Sequence, residues 1–319
     1  MSETKEPFLL VVNPRAGAGR AEKNLPRLQQ ALTEAGARFD VARTSRPAHA
    51  TEIVRDALRR GMQGIAVVGG DGTLHEALNG FFDESGEVID RDAWLGPLSI
   101  GTGGDFRKTL GSPHVGMGGN GIEALVTKML WSRPRRIDVG WLEHVGNDGA
   151  PSARAFLNIA SFGVGGLVDR LVNDTPKWIG GTPAFLLGTM RGLRRYSPQR
   201  VRITVDDKLP RETRIVNVAV ANGRYFGGGM MIAPRAEIDD GAFDVVGIET
   251  TVRGSLRLTA KIYAGAHVGA PGVTSQRGTV VRAEPVDPSD HVLLDVDGEA
   301  PGRLPATFTI RPGAIQIRG

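Results

Sequence analysis

The chain has 319 residues, 40% of them hydrophobic and 23% charged, the balance of a soluble globular protein with room for one large domain or two ordinary ones. It contains no cysteine, which excludes disulfides, thiolate metal sites and a cysteine nucleophile, and its six histidines are scattered without metal-ligand spacing. A formal net charge of +4, from 39 basic and 35 acidic residues, falls short of the clustered excess of a nucleic-acid binder, so no nucleic-acid partner is expected, whereas 44 glycines exceed the usual share.

Residues 1–7 are polar, and the apolar run that follows, FLLVV, is too short for a signal peptide or a membrane span, which leads us to expect a cytoplasmic protein. FLLVVNP reads as a buried strand; Leu25, Leu28 and Leu32 then recur at helical spacing up to Gly36. Pro26 places the start of the regular helix there, not at Ala18. RFDVART is a second strand, residues 48–60 a second helix ended by Gly61, and GIAVVGG a third strand. The next helix carries Leu74, Ala77, Leu78 and Phe81, and WLGPLSIGTGG is a strand that ends in glycines. This alternation predicts a parallel α/β layer with ligands at the carboxyl ends of its strands.

Past about residue 135 the pattern changes to RRIDVGWLEHV, ARAFLNIASFGV, RVRITVD, RIVNVAVANG, AFDVVGIE, GTVVRAEP and HVLLDVDGE, strand-like runs separated by turn residues. They predict a largely antiparallel second domain, interrupted by helical candidates at residues 183–196 and 252–266. The expected division is therefore an α/β domain over residues 1–135, with segment 309–319 a candidate to complete it, and a β-rich domain over 136–308.

Three strand ends carry glycine-rich loops: Asn13-Pro14-Arg15-Ala16-Gly17-Ala18-Gly19, Gly69-Gly70-Asp71-Gly72-Thr73, and Gly101-Thr102-Gly103-Gly104-Asp105. A parallel sheet gathers such loops on one edge, where glycine lets the backbone approach a ligand and a helix N-terminus offers unpaired N–H groups, so the three together point to a polyphosphate. Any one of them alone reads equally as a tight turn without a ligand. Neither GxGxxG spacing nor a GK[ST] ending is present, which disfavours a dehydrogenase and a P-loop enzyme. Asp71 would repel a triphosphate unless Mg²⁺ lay between them, directly or through water; that is its expected role, with Asp105 assisting or serving as the N-cap of the helix beginning FRKTL.

NPRAGAG, GGDGTLHEALNG and GTGGDF, in this order and spacing, resemble the catalytic domain of the diacylglycerol kinase family, which includes sphingosine, ceramide and bacterial lipid kinases. The resemblance continues through VANGRYFGGGMMIAPRAEIDDGAFDVVGI and VDGE, residues 296–299. It implies two domains: an N-terminal Rossmann-like α/β domain of the phosphofructokinase/NAD kinase type and a C-terminal antiparallel β-sandwich-like domain. It also implies ATP-dependent phosphorylation of a lipid hydroxyl, most simply diacylglycerol or a related lipid alcohol, with the nucleotide in the cleft between the domains. By resemblance Asn13, Pro14, Arg15, Ala16, Gly17, Thr44, Gly69, Gly70, Asp71, Gly72, Thr73, Leu74, His75 and Thr102 line the ATP, and Asp240, with backbone carbonyls near Glu237 and Ala242, forms a second, structural Mg²⁺ site. His75 and Glu76 are equally readable as first-turn surface residues. Two positions depart from the pattern: Gly104 stands where the third loop usually has Asn, and Arg235 where an acid commonly follows the proline of the IAP segment.

Phosphoryl transfer also needs a base for the hydroxyl proton, and Asp297 and Glu299 are the candidates. Two apart at the end of an apolar strand, they share a face as long as the strand continues, and the resemblance favours Glu299; a plain Asp-Gly hairpin turn is the alternative. Residues 175–200 set Trp178, Phe185, Leu186, Leu187, Met190 and Leu193 beside Lys177, Arg191, Arg194, Arg195 and Arg200, the make-up of a lipid pocket with peripheral contact to an anionic membrane, or of a core helix with a basic last turn. A homodimer is compatible with the sequence. The rival functions are a ceramide or sphingoid-base kinase, an NAD kinase-like enzyme sharing GGDGT, and a catalytically silent nucleotide- or lipid-binding protein.

Overall fold

The computed structural model of the protein describes residues 6–99, 104–111, 121–165 and 196–319. Two compact units divide the chain: one comprises the residues up to Asp138 together with Gly313–Gly319, the other Val139–Pro312.

In the first unit β1 (Phe8–Val12), β2 (Phe39–Arg43), β3 (Gly64–Val68) and β4 (Trp94–Leu98) form a parallel sheet in the order β2-β1-β3-β4. The end of β15 (Gly302–Ile317) lies parallel to β4 through Gln316 and Ile317. Every residue of β1, β3 and β4 is buried, which is why these strands read as unbroken apolar runs. The winding direction reverses between β1 and β3, the position at which open α/β sheets hold their ligands.

Helices α1 (Ala16–Glu34), α2 (His49–Arg59), α3 (Asp71–Asn79), α4 (Asp105–Thr109) and α5 (Gly121–Trp131) accompany the strands. α1 does not begin at Pro26: Gly17, Ala18 and Gly19 are left-handed, the regular helix follows them, and Pro26 lies inside it. Ala21 and Leu25 extend the buried stripe of Leu28 and Leu32 one turn upstream of the proline, and this packing offsets the lost main-chain bond. α5, not anticipated from the sequence, buries Ile122, Leu125, Val126, Met129 and Leu130 in the same core.

The second unit is a sandwich. One sheet contains β5 (Arg135–Gly146), β6 (Pro151–Phe156), β8 (Gln199–Val205), β9 (Arg211–Ile215), β13 (Val280–Pro285) and most of β15; the other has the order β12-β11-β10-β7-β14, where β7 is Ile159–Gly163, β10 Asn217–Ala221, β11 Phe243–Ile248, β12 Val273–Gly278 and β14 Leu294–Val296. All pairings in the second sheet are antiparallel. Leu142, Val201, Ile203, Val281 and Phe308 from one sheet meet Phe162, Val218, Val220, Phe243 and Leu294 from the other, and Phe162 stacks on Phe308 at 5.9 Å. The far face of the second sheet is covered by Leu258 and Ile262 of α6 (Val252–Tyr263), whose N-cap Thr251 accepts from Gly254 N at 3.1 Å.

Two apolar runs that read as single strands are each divided between the sheets: ARAFLNIASFGV breaks at Leu157-Asn158 into β6 and β7, and RIVNVAVANG breaks at Val216 into β9 and β10. Hydropathy does not register the change of sheet, because both halves are buried in the same sandwich. The helix expected over residues 183–196 falls, apart from Tyr196, outside the described residues, as does most of segment 175–200. Among the described residues no helix is long and apolar enough to cross a membrane.

Candidate active site

At the carboxyl ends of β1, β2 and β3 the main chain keeps the loop entrances side by side: Asn13 N donates to Val68 O (3.0 Å) and Thr44 N to Val12 O (2.8 Å). Asn13 closes its own turn, its Oδ1 accepting from Arg15 N (3.0 Å) and its carbonyl from Ala16 N (3.1 Å), while its Nδ2 donates to Thr73 Oγ1 at 2.9 Å. The first and second glycine loops are thereby joined across the switch point. Pro14 and Arg15 form the turn, and Gly17 and Ala18 are exposed beyond it.

The glycines of the second loop differ in what they require. A Cβ on Gly69 would lie 2.5 Å from Thr73 Cβ, so the fold itself demands glycine there. Gly70 is extended (φ −96°, ψ −172°), Gly72 is not left-handed, and a Cβ on either would meet nothing within 4 Å. Packing in this unit leaves both positions open, so bare backbone is presented on either side of Asp71. Leu74 N donates to Gly70 O and the Leu74 side chain is buried, so this residue belongs to the helix and core. His75 is 3% exposed, against Asn79, and Glu76 accepts from Ala50 N (3.2 Å) and, through its carbonyl, from Thr51 Oγ1 (2.7 Å). His75 is thus a buried residue bonded within its own helix, and half-buried Glu76 ties α3 to α2.

Asp71 is the first residue of α3 and half-buried. Its Oδ2 accepts from Asp105 N at 2.9 Å, so the carboxylate of the second loop secures the start of α4. Asp105 is not the N-cap: that place belongs to Gly104, at φ 115° and ψ 71°, and Asp105 begins the helix, buried, with Lys108 Nζ 2.9 Å from its Oδ1. Thr102 lies outside the described residues. Among the described residues no group of three or more histidine and carboxylate side chains is arranged for a metal. Bare backbone beside one carboxylate fits the usual holding of Mg²⁺, by one or two carboxylates plus the phosphate oxygens of the nucleotide.

In the second unit VDGE is a turn. Asp297 and Gly298 both have positive φ (50° and 88°), and Val296 and Glu299 face each other through Val296 N to Glu299 O (2.8 Å) and Glu299 N to Val296 O (3.0 Å). The strand therefore does not continue, and Asp297 and Glu299 do not share a face as expected. Asp297 folds back on the β6–β7 break: Oδ2 accepts from Leu157 N (2.9 Å), and Oδ1 from Asn158 N (3.1 Å) and Ile159 N (3.0 Å). The same corner is held by Asn222 Nδ2 donating to Leu157 O (2.7 Å), by Asn158 Nδ2 donating to Tyr225 O, and by Asp295 Oδ1 accepting from Gly298 N (3.0 Å). Asn158, Asn222 and Asp295 were not singled out by sequence reasoning; an amide directly after an apolar strand, as in VANG, is the signal that could have found Asn222.

Glu299 has a different setting. Arg154 Nη1 donates to its Oε2 at 3.1 Å, and 40% of the side chain is exposed. On the β5–β6 hairpin that carries Arg154, His144 is 5% exposed. Burial, and then the charge of Arg154, hold its pKa down to about 4. Elsewhere in this unit Asp240 Oδ1 accepts from Ala242 N (3.2 Å) and Oδ2 is ion-paired with Arg277, and burial raises the pKa of the neighbouring Asp244.

The family description "Diacylglycerol kinase catalytic domain" matches residues 7–142, and "YegS C-terminal NAD kinase beta sandwich-like domain" matches residues 158–319. A diacylglycerol kinase of Bacillus subtilis (strain 168) is 27% identical over 304 residues, covering 94% of this chain and 91% of its own. A probable lipid kinase, YegS-like, of Pseudomonas aeruginosa (strain UCBPP-PA14) is 29% identical over 319 residues, covering 98% and 94%. The crystal structure of a diacylglycerol kinase from Bacillus anthracis str. Sterne matches the fold with a TM-score of 0.70 at 21% identity, covering 100% of this chain and 98% of the other.

Proposed function

Because the chain belongs to the diacylglycerol kinase catalytic-domain family, with a YegS-type C-terminal domain, we propose that it transfers the γ-phosphate of ATP to the hydroxyl of a lipid alcohol, most simply diacylglycerol. The observation that carries the nucleotide half is the pair Gly70 and Gly72, glycine without a packing or conformational need on both sides of a carboxylate at the sheet's switch point.

In this mechanism the main-chain N–H groups of the first turn of α3, together with the Asn13–Gly17 loop, bind phosphate oxygens, where the helix dipole favours negative charge. Asp71 would hold Mg²⁺, directly or through water, and the ion would supply charge neutralisation of the phosphates. Glu299 is the base: it accepts the hydroxyl proton as the lipid oxygen bonds to the γ-phosphorus and the bond to the ADP oxygen breaks. Arg154 orients the Glu299 carboxylate. Asp297, with its oxygens committed to the main chain, positions the turn that carries Glu299 and does not take the proton.

The test is labelled ATP with Mg²⁺ offered to diacylglycerol, ceramide, a sphingoid base, phosphatidylglycerol and NAD, with Asp71→Ala and Glu299→Gln beside the wild type. Label should enter a lipid and fall by about 10²-fold or more in both variants. Transfer to NAD alone would support the NAD kinase alternative, and undiminished transfer by both variants would remove these residues from the chemistry.

A further inference from the structure

Glu237, Asp239, Asp240 and Asp244 concentrate carboxylates at the entry to β11, where the family resemblance implies a structural Mg²⁺. Asp244 is 3% exposed, and its Oδ2 has no hydrogen-bond partner among the described residues. Held as a carboxylate, a buried oxygen of this kind needs a cation, and the question is which one.

The ladder supplies an answer. Asp244 stands directly opposite Arg277 in the β11–β12 register, so the main chain fixes the guanidinium over this corner. Arg277 Nε lies 3.9 Å from Asp244 Oδ2, and its Nη2 donates to Asp240 Oδ2. The other oxygen of Asp240 accepts from Ala242 N at 3.2 Å, so the principal acid expected of a metal site is engaged on both oxygens. Arg235, at the position where the resembling sequences commonly carry an acid, adds a second positive charge acting on Asp244, against the negative charges of Asp240 and Glu237. Magnesium demands octahedral oxygen ligation at about 2.0–2.1 Å, for which a guanidinium bonded to the same carboxylate competes, and fixed positive charge nearby repels a divalent ion.

We infer that in this chain Arg277, supported by Arg235, supplies the positive charge of the structural cation implied at Glu237, Asp240 and Ala242, so that this corner is closed by an internal ion pair without a metal. The arginine differs from an ion in being covalently present: the corner is complete in chelator, and its stability does not follow the Mg²⁺ concentration. The replacement is independent of the activity proposed above.

Thermal melts of the nucleotide-free full chain, in excess EDTA and in millimolar MgCl₂, test it without any activity readout. Any response of the wild type to Mg²⁺ should be left unchanged by Asp240→Asn. In EDTA, Arg277→Met should melt roughly 2–4 °C below the wild type, since Arg277 is half-exposed while Asp244 behind it is buried; Arg277→Lys should recover part of the loss, and Mg²⁺ should restore Arg277→Met because the carboxylates are then available. Saturable stabilisation of the wild type by Mg²⁺ that Asp240→Asn abolishes would overturn the inference. So would an Arg277→Met protein as stable in EDTA as the wild type, or one that Mg²⁺ does not restore. If Arg277→Met fails to fold, the wild-type and Asp240→Asn melts decide alone.

Discussion

Asp297→Ala and Glu299→Gln should fail in different ways, although the two acids are neighbours in VDGE. Asp297 accepts three main-chain hydrogen bonds, from Leu157, Asn158 and Ile159, residues that are 2%, 6% and 2% exposed. Bonds to a charged acceptor are worth about 1.5–3 kcal/mol each, and at this burial water does not replace them freely. Since the three share one carboxylate they are not additive, and we expect a loss of about 3–5 kcal/mol, or roughly 6–15 °C in melting temperature.

Glu299, by contrast, meets Arg154 with 40% and 26% of the two side chains exposed, a setting in which an ion pair contributes about 1 kcal/mol or less. Glu299→Gln should therefore melt within about 3 °C of the wild type while its transfer rate falls about 10²-fold or more. The assay pairs differential scanning calorimetry with initial rates of ATP-dependent lipid phosphorylation on the same preparations. An Asp297→Ala protein that melts with the wild type, or a Glu299→Gln protein as unstable as Asp297→Ala, would refute the division of labour between the two acids.

Buried His144 stays neutral in the folded protein with its pKa held near 4, against 6.5 ordinarily, so the unfolded chain binds a proton that the native state refuses. Its contribution is complete above pH 6.5 and is lost as the pH falls toward 4, by about 2 kcal/mol at pH 5; urea titrations should find that decline flattened in His144→Gln, and an unchanged slope would refute it. Gly104→Asn, which restores the amide usual in the third loop, places a side chain at φ 115° with its Cβ 3.2 Å from Arg107 Cβ. We expect destabilisation by about 1–3 kcal/mol, read as a lower melting temperature, and a Gly104→Asn protein as stable as the wild type would show that the left-handed backbone is not a constraint.

The α/β unit was legible because β1, β3 and β4 are buried on both faces and their glycine loops follow at strand ends. The antiparallel sandwich was expected, its strands from the pattern and its two layers from the resemblance, but the places where the chain changes sheet were not legible, since the corners at Leu157-Asn158 and Val216 carry no glycine or proline. Those corners are held by distant side chains, Asp297 and Asn222 among them, which local pattern cannot reveal. α5 follows HVGMGGNG, whose glycines are a loop signal, and was not anticipated. The position of His75 was missed for a related reason: the residue sits on the buried side of α3, and a polar letter in a glycine-led first turn reads as exposed.

Three of the four Asp-Gly pairs, at residues 71, 240 and 297, look alike in the sequence and end in three different structures. At Asp71 the glycine continues as helix, the carboxylate accepts from the next loop's amide, and the flanking glycines meet no neighbour. At Asp240 the glycine is left-handed (φ 74°), the aspartate closes a short turn onto Ala242, and its outer oxygen is taken by Arg277 from the neighbouring strand. At Asp297 both residues are left-handed and the carboxylate turns inward to satisfy a break between two sheets. What separates a binding loop from a structural turn is thus the disposition of the donors around the acid. Among these three, only Asp71 is flanked by glycines that neither a left-handed backbone nor packing requires, and only there does the dipeptide itself suit a phosphate held through a cation.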